Sequence, residues 1–266
     1  MTQTTLEGYK PFIESDLKSD AAHLRAIMDE HGYLFFRGLI PAQEILSVRR
    51  DVLELLRDAG WLDLAYDLMD GIAAPGIQPK TEGQPEYTAV YRKVLNLPSF
   101  HNFPTLSTLM DVAQRLLDSE VLVHPRRIGR ITFPGSAALA TPPHQDYFYI
   151  RGAVETYSCW VPLGDCPMTL GGLAVWPGSH RFGFIEHSEK HQGAVGGRGV
   201  PVDETQAEWH TADFGLGDAL YFRSYTIHKA LPNLSPKRLR LSTDNRYQFS
   251  KDAIDPAALK PHFSEN

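Results

Sequence analysis

The sequence has 266 residues, 42% hydrophobic and 22% charged, with a formal net charge of −6. That is a globular composition, long enough for a sizeable core, and an all-β barrel of this length can form one domain. It excludes several classes: there is no basic stripe for nucleic acid, no polybasic cluster for anionic lipid, and no apolar run that could span a membrane. Met1–Lys10 lacks the basic start and apolar stretch of a signal peptide. The two cysteines, Cys159 and Cys166, are expected to be reduced thiols in a cytoplasmic protein. Nothing in the sequence sets an oligomeric state.

The first part of the chain, about residues 1–120, reads mainly helical. Ala21–His31 is a short helix stopped by Gly32, and Tyr33–Arg37 is a strand closed by Gly38. Pro41–Ala59 is a second helix, with Ile45, Val48, Val52 and Leu56 at helical spacing and Gly60 as its stop. Gly71–Tyr87, rich in Gly and Pro, reads as a mobile loop. Thr105–Ser119 is a third helix, with Leu106, Leu109, Met110, Ala113, Leu116 and Leu117 on one side.

From about residue 121 to 250 the pattern changes to short β-type runs between Gly and Pro: Val121–Phe133, His144–Ile150, Thr156–Leu163, Leu173–Trp176, Ala219–Phe222 and Leu239–Phe249. Such spacing predicts a sandwich or barrel with the helices packed outside it, in one domain over 1–266. Arg181–Glu208, which is polar and glycine-bearing, is too long for a turn and reads as a binding loop or lid.

Within the run 144–150, His144 and Asp146 are two residues apart, so a strand would project both to one face with Gln145 turned away. A third histidine from a late strand would complete two imidazoles and one carboxylate on one face of an octahedral metal, leaving positions open. His-x-Asp is weak alone, because among eleven histidines on the order of one such triplet arises by chance. The rival His187-Ser188-Glu189, with His191, sits in the polar stretch without strand character. His210 with Asp213 is weaker, and His180 looks like a turn residue. His228, between apolar neighbours, is the third ligand or else a core histidine satisfied by a carbonyl.

Twelve positions after His228 comes Arg240, followed by Ser242. A guanidinium fork matches a carboxylate, and a serine two residues on shares its face of the strand. Arg238, Arg240, Ser242, Asp244 and Arg246 alternate onto one face, which either lines a polar interior or faces solvent. Arg126, Arg127 and Arg130 pose the same question on another strand. Inward arginines would suit an anionic ligand.

These segments resemble the phytanoyl-CoA dioxygenase-like branch of the iron(II)- and 2-oxoglutarate-dependent oxygenases over residues 28–250. The resemblance is carried by Gly32–Gly38, His144-Gln145-Asp146, Trp160–Leu163, Gly171–His180, and His228 with the Arg240 strand. It implies a double-stranded β-helix, a cupin-like jelly roll with flanking helices. It implies iron on His144, Asp146 and His228, and 2-oxoglutarate on Arg240 with Ser242, Trp160, Lys93 and Gln145 as further co-substrate residues. The implied reaction consumes O2 and 2-oxoglutarate, releases succinate and CO2, and hydroxylates or otherwise oxidises an unactivated C–H bond of a small molecule. Tyr147, Tyr149 and Arg246 are the expected substrate contacts. The family spacing falls between Arg238 and Arg240, and Arg-x-Ser favours Arg240. Asp146 fills the place a halide would need, so hydroxylation or desaturation is expected rather than halogenation. A cupin-like metalloenzyme without 2-oxoglutarate, and a non-catalytic jelly-roll binding protein, are the alternatives.

Overall fold

The structure, a computed structural model, describes residues 8–188, 198–203 and 205–262. Three of the helices form where the apolar spacing predicts them. α1 (Ala21–His31) is capped by Asp20, whose carboxylate accepts from His23 N, and ends at Gly32 in the left-handed region (φ 76°). A side chain there would collide with His180 and Thr226. α2 (Ala42–Asp58) buries Ile45, Val48, Val52, Leu53 and Leu56. α3 (Pro85–Leu95) lies partly inside the stretch expected to be a loop: Pro85 occupies the first turn, where its missing N–H costs nothing, and Tyr87, Val90, Tyr91 and Val94 turn inward. α4 (Pro98–Asn102) is a short connector, and α5 (Ser107–Leu117) buries Leu109, Val112, Ala113 and Leu116.

The strands are β1 (Tyr9–Pro11), β2 (Tyr33–Phe36), β3 (Val121–Val123), β4 (Ile128–Thr132), β5 (Thr156–Pro162), β6 (Leu173–Val175), β7 (Trp209–Thr211), β8 (Ala219–Arg223), β9 (His228–Ala230) and β10 (Arg240–Phe249). They make two sheets. One has the order β1-β7-β6-β9; the other has the order β2-β8-β5-β10-β3, with β4 also paired to β10. Every pairing is antiparallel except β1 with β7. The sheets face one another without closing into a continuous barrel. This is the jelly-roll architecture expected, opened along its edges.

The two-residue alternation of the larger sheet sorts its side chains. Leu34, Phe36, Tyr157, Cys159, Val161, Ala219, Tyr221, Leu241 and Tyr247 pack against the helices. From the other face, Tyr33, Phe35, Trp160, Leu220 and Phe222 meet Leu173, Val175 and Phe214 between the sheets. On β10 that inner face carries polar groups instead, and these open the interior for a site. Both cysteines are buried free thiols. Among the described residues, no helix is long and apolar enough to cross a membrane.

Arg49, buried in α2, pins the long connection after that helix. Its Nε and Nη2 donate to Met69 O (3.0 and 2.7 Å) and its Nη1 to Leu163 O at the end of β5 (2.9 Å). Burial, with Arg238 nearby, pushes its pKa down to about 10. Arg49→Leu strands two carbonyls, so we expect a loss of about 2–4 kcal/mol in urea unfolding. A loss within experimental error would show that the connection is held by other contacts.

Candidate metal and co-substrate site

His144 and His228 face each other across one reciprocal backbone pair. His144 N donates to His228 O (2.9 Å) and His228 N to His144 O (3.0 Å), which brings the ring centroids to 4.1 Å. The chain does not continue as the strand expected over His144–Ile150. Asp146 has helical dihedrals (φ −60°, ψ −31°) and opens a single helical turn, α6 (Tyr147–Ile150). Pairing ends after His144 because the amides of Tyr149 and Ile150 turn back to Asp146 O, while Tyr147 N bonds Ser224 O. His144 and Asp146 converge through this turn rather than through strand alternation.

Each histidine is held by its Nδ1. That of His144 donates to Pro142 O (2.8 Å) and that of His228 to Thr226 O (3.0 Å), since a carbonyl can only accept. Each Nε2 lone pair is thereby left free and lies 3.9 Å from Asp146 Oδ1. The three ligand atoms fall within 4.8 Å of one another and all three residues are buried. Burial and the neighbouring His228 push His144 down to about 3, and burial likewise lowers His228 against the pull of Asp146. Both rings are therefore neutral, the form in which imidazole binds metal.

Burial alone would raise Asp146, but Arg246 and the two histidines outweigh it and hold the carboxyl well below the usual range. Its Oδ2 accepts from Arg246 Nε (3.2 Å), Arg246 Nη2 (3.0 Å) and the Ser158 hydroxyl. That leaves Oδ1 to face the histidines. Two neutral imidazole nitrogens and one carboxylate oxygen on one face suit a divalent iron-type ion with open positions.

The segment Gly171–His180 supports His228 from behind. Trp176 N donates to Ile227 O (2.9 Å), and Ile227 N donates to Ser179 Oγ (2.8 Å). Gly171 (φ 85°) passes so close to Leu231 O and Pro232 that no side chain fits.

Arg240 shares a cavity with the triad, and so do Trp160 and Arg246. It is 4% exposed. Its Nη1 donates to Ser242 Oγ (3.0 Å) and its Nη2 to Thr132 Oγ1 (2.8 Å); its buried Nε has no partner. Its guanidinium lies 5.9 Å from the centre of the Trp160 ring. No carboxylate among the described residues pairs with it. Arg238 is outside: its backbone N bonds Ser235 Oγ and its residue bridges Ile72. Ser242 does not line the cavity and instead steadies Arg240.

Several expected residues lie elsewhere. Lys93 is exposed on the outer side of α3, because the helix turns Tyr91 and Val94 inward. The lysine on the cavity wall is Lys80, paired with Glu86. Gln145 is fully buried outside the cavity. Its side chain donates to Gly183 O and Tyr225 O (both 2.8 Å) and accepts from Ile185 N (2.8 Å). Tyr147 packs its ring on Phe184 and Tyr225 and does not line this cavity. Arg246 is occupied by Asp146. Tyr149 alone of the two tyrosines faces a second, outer cavity of about 460 Å³ that opens onto His144 and Asp146.

Thr132, Tyr87, Lys80, Glu82 and Asn233 also line the inner cavity, and sequence reasoning missed them. For Thr132, alternation along β4 from Arg130 was a usable signal; Lys80 and Glu82 come from a connection with no periodicity. Of the rival histidines, His187 uses Nε2 to accept from Gln145 N (3.1 Å) and Nδ1 to donate to Ile185 O (3.0 Å). Glu189 and His191 lie outside the described residues. His210 bonds Tyr33 and Glu208, while Asp213 accepts from Met168 N. His180 sits in a turn with Nε2 on Asp29 O.

Residues 28–241 match the family described as phytanoyl-CoA dioxygenase. The chain belongs to the phytanoyl-CoA dioxygenase family. It is thus an enzyme of the dioxygenase and hydroxylase class. Its curated relatives include the 1-deoxypentalenic acid 11-beta-hydroxylases of Streptomyces exfoliatus (30% identical over 257 residues) and Streptomyces arenae (31% over 262). Each alignment covers 92% of this chain and 87% of the relative. Among solved structures, the fold is shared with the epimerase SnoN in complex with Fe3+, alpha ketoglutarate and nogalamycin RO (TM-score 0.62, 21% identity, 92% of each chain). It is shared too with EctD from S. alaskensis with 2-oxoglutarate and 5-hydroxyectoine (TM-score 0.55, 20% identity, 94% of this chain and 85% of that one).

Arg246 orients Asp146 without entering the triad. Arg246→Met is expected to weaken iron(II) binding roughly 10–100-fold, the usual cost of losing such a support. Chelator competition measures this, and unchanged iron affinity would show that Ser158 suffices to aim the carboxylate.

Proposed function

We propose that the protein couples oxidative decarboxylation of 2-oxoglutarate, with release of succinate and CO2, to hydroxylation of an unactivated C–H bond in a small molecule. His144, Asp146 and His228 hold the iron, and Arg240 holds the distal carboxylate of 2-oxoglutarate. The observation that carries this reading is the placement of Arg240, buried and without a carboxylate partner among the described residues, in the same cavity as three converging ligand atoms.

Iron(II) bound there would supply a Lewis acid for the 2-oxo acid and the redox partner for dioxygen. This chain's residues do the rest. The Nδ1–H bonds of His144 and His228 fix both tautomers before any ion arrives. Ser158 and Arg246 occupy Oδ2 of Asp146 and so present a single oxygen. Ser242 and Thr132 clamp two arms of Arg240, which fixes the plane of the fork that meets a carboxylate. Trp160, Leu173 and Ile131 supply an apolar wall that limits water.

Hydroxylation is favoured by two things. The relatives of about 30% identity are named hydroxylases. Asp146 also occupies the position that a halide would need. The fold by itself does not choose an outcome, since one neighbour is named an epimerase. Arg240 argues against a cupin-like enzyme without 2-oxoglutarate, and the complete triad argues against a non-catalytic module.

Iron(II) protein mixed anaerobically with 2-oxoglutarate is expected to develop a weak visible charge-transfer band. Arg240→Ala should weaken the 2-oxoglutarate titration about 10- to 100-fold, while Arg238→Ala leaves it unchanged. A greater loss at Arg238, or iron binding without any band, would overturn the co-substrate assignment.

A further inference from the structure

The outer cavity has charge that its own walls do not neutralise. It shares Glu82, Arg130, Thr141, His144, Asp146 and Arg246 with the inner cavity and adds Arg126, Ile128, Phe148, Tyr149, Ile150, Arg151 and His262. Both of its carboxylates are taken: Glu82 pairs with Arg130 at 2.5 Å, and Asp146 with Arg246 at 3.0 Å.

Arg126 is different. It lies between β3 and β4, partly buried, and makes no ion pair or hydrogen bond among the described residues. Burial and the charge of Arg246 press its pKa downward, and Asp255 opposes them only from beyond ion-pair distance. A half-buried guanidinium that lines a cavity without a partner is a ready seat for an anion. Two more cations stand at Phe148: the guanidinium carbons of Arg151 and Arg198 are 5.9 and 5.8 Å from its ring centre. Neither makes an ion pair among the described residues. Ile128, Phe148 and Ile150 give the wall an apolar stretch.

We propose that the outer cavity takes a small molecule with a hydrocarbon body and one carboxylate, and that Arg126 is the anchor for that carboxylate. Arg126 lines the outer cavity but not the inner one, whereas His144 and Asp146 line both. An acid gripped at Arg126 therefore presents its apolar body, not its charged end, to the metal ligands. Arg240, in the inner cavity, stays free for 2-oxoglutarate, so the two carboxylate sites do not compete. This proposal rests on the oxygenase reading above.

The test uses the full protein loaded anaerobically with iron(II) and 2-oxoglutarate, so that the visible band reports the oxygenase reading by itself. Decanoate and cyclohexylacetate, each with its methyl ester, are then titrated by calorimetry. At least one acid is expected to bind, at least tenfold tighter than its ester. Arg126→Gln should weaken the acid about 10- to 100-fold, as for a lost charge-assisted hydrogen bond. The ester and 2-oxoglutarate affinities should not move, Arg126→Lys should recover part of the loss, and the melting temperature of the free protein should not fall. With the band present, any of three results overturns the proposal: no acid bound in the millimolar range, acid and ester bound equally, or both weakened alike by Arg126→Gln. An Arg126→Gln protein melting well below the parent shows a structural arginine and overturns it too. Absence of the band in the parent protein would remove the oxygenase reading and this one with it.

Discussion

The site depends on how one carboxylate is divided. Asp146 is a buried anion, and such a group persists only when it is paired and hydrogen-bonded. Arg246 and Ser158 satisfy one of its oxygens, and the other is left to face two neutral imidazoles. Were Arg246 absent, the same carboxylate would be free to rotate or to take up a proton. The charge of the triad and its geometry are therefore set together by a residue outside it.

Arg246 reaches Asp146 because of the strand that carries it. β10 is paired on both sides, with β5 along one edge and β3 and β4 along the other. Its register cannot slip without turning every side chain to the opposite face. Leu241 and Tyr247 are anchored among the helices, which obliges Arg240, Ser242, Asp244 and Arg246 to point inward. One strand thus supplies the inner-cavity arginine at one end and the support of Asp146 at the other. The apolar half of its alternation fixes the polar half.

This explains what could be read in advance. Alternation on β10 was visible in the sequence, but its polar face could equally have met solvent; the helices covering Leu241 and Tyr247 decide it. His144, Asp146 and His228 were legible mainly through motif resemblance. The spacing of His144 and Asp146 reads as one face of a strand, whereas a helical turn at Tyr147–Ile150 brings the two together. That turn depends on where backbone pairing stops, at Ser224 O and Asp146 O, and no local pattern encodes this. The resemblance alone points to Lys93; with Pro85 as a first-turn proline, Tyr91 and Val94 face inward and Lys93 faces out. Lys80, Glu82 and Arg126 come from connections, where side-chain direction has no period to follow.

The residue between the first two ligands shows how such a site stays ordered without relying on the ion. The resemblance implies a co-substrate contact for Gln145, yet its amide is spent entirely on backbone. It holds Gly183 O and Ile185 N on one side and Tyr225 O on the other, while its own N–H reaches His187. Tyr225 is three residues before His228, so one side chain ties the arm bearing His144 and Asp146 to the arm bearing His228. Thr226 O, in the same arm, also fixes the His228 tautomer. Ligands held this way keep their separation through hydrogen bonds made on their far side, and an arriving ion need order little. The middle position of the motif is therefore a splint between the two ligand arms, fully buried because both of its faces are occupied by the chain it joins.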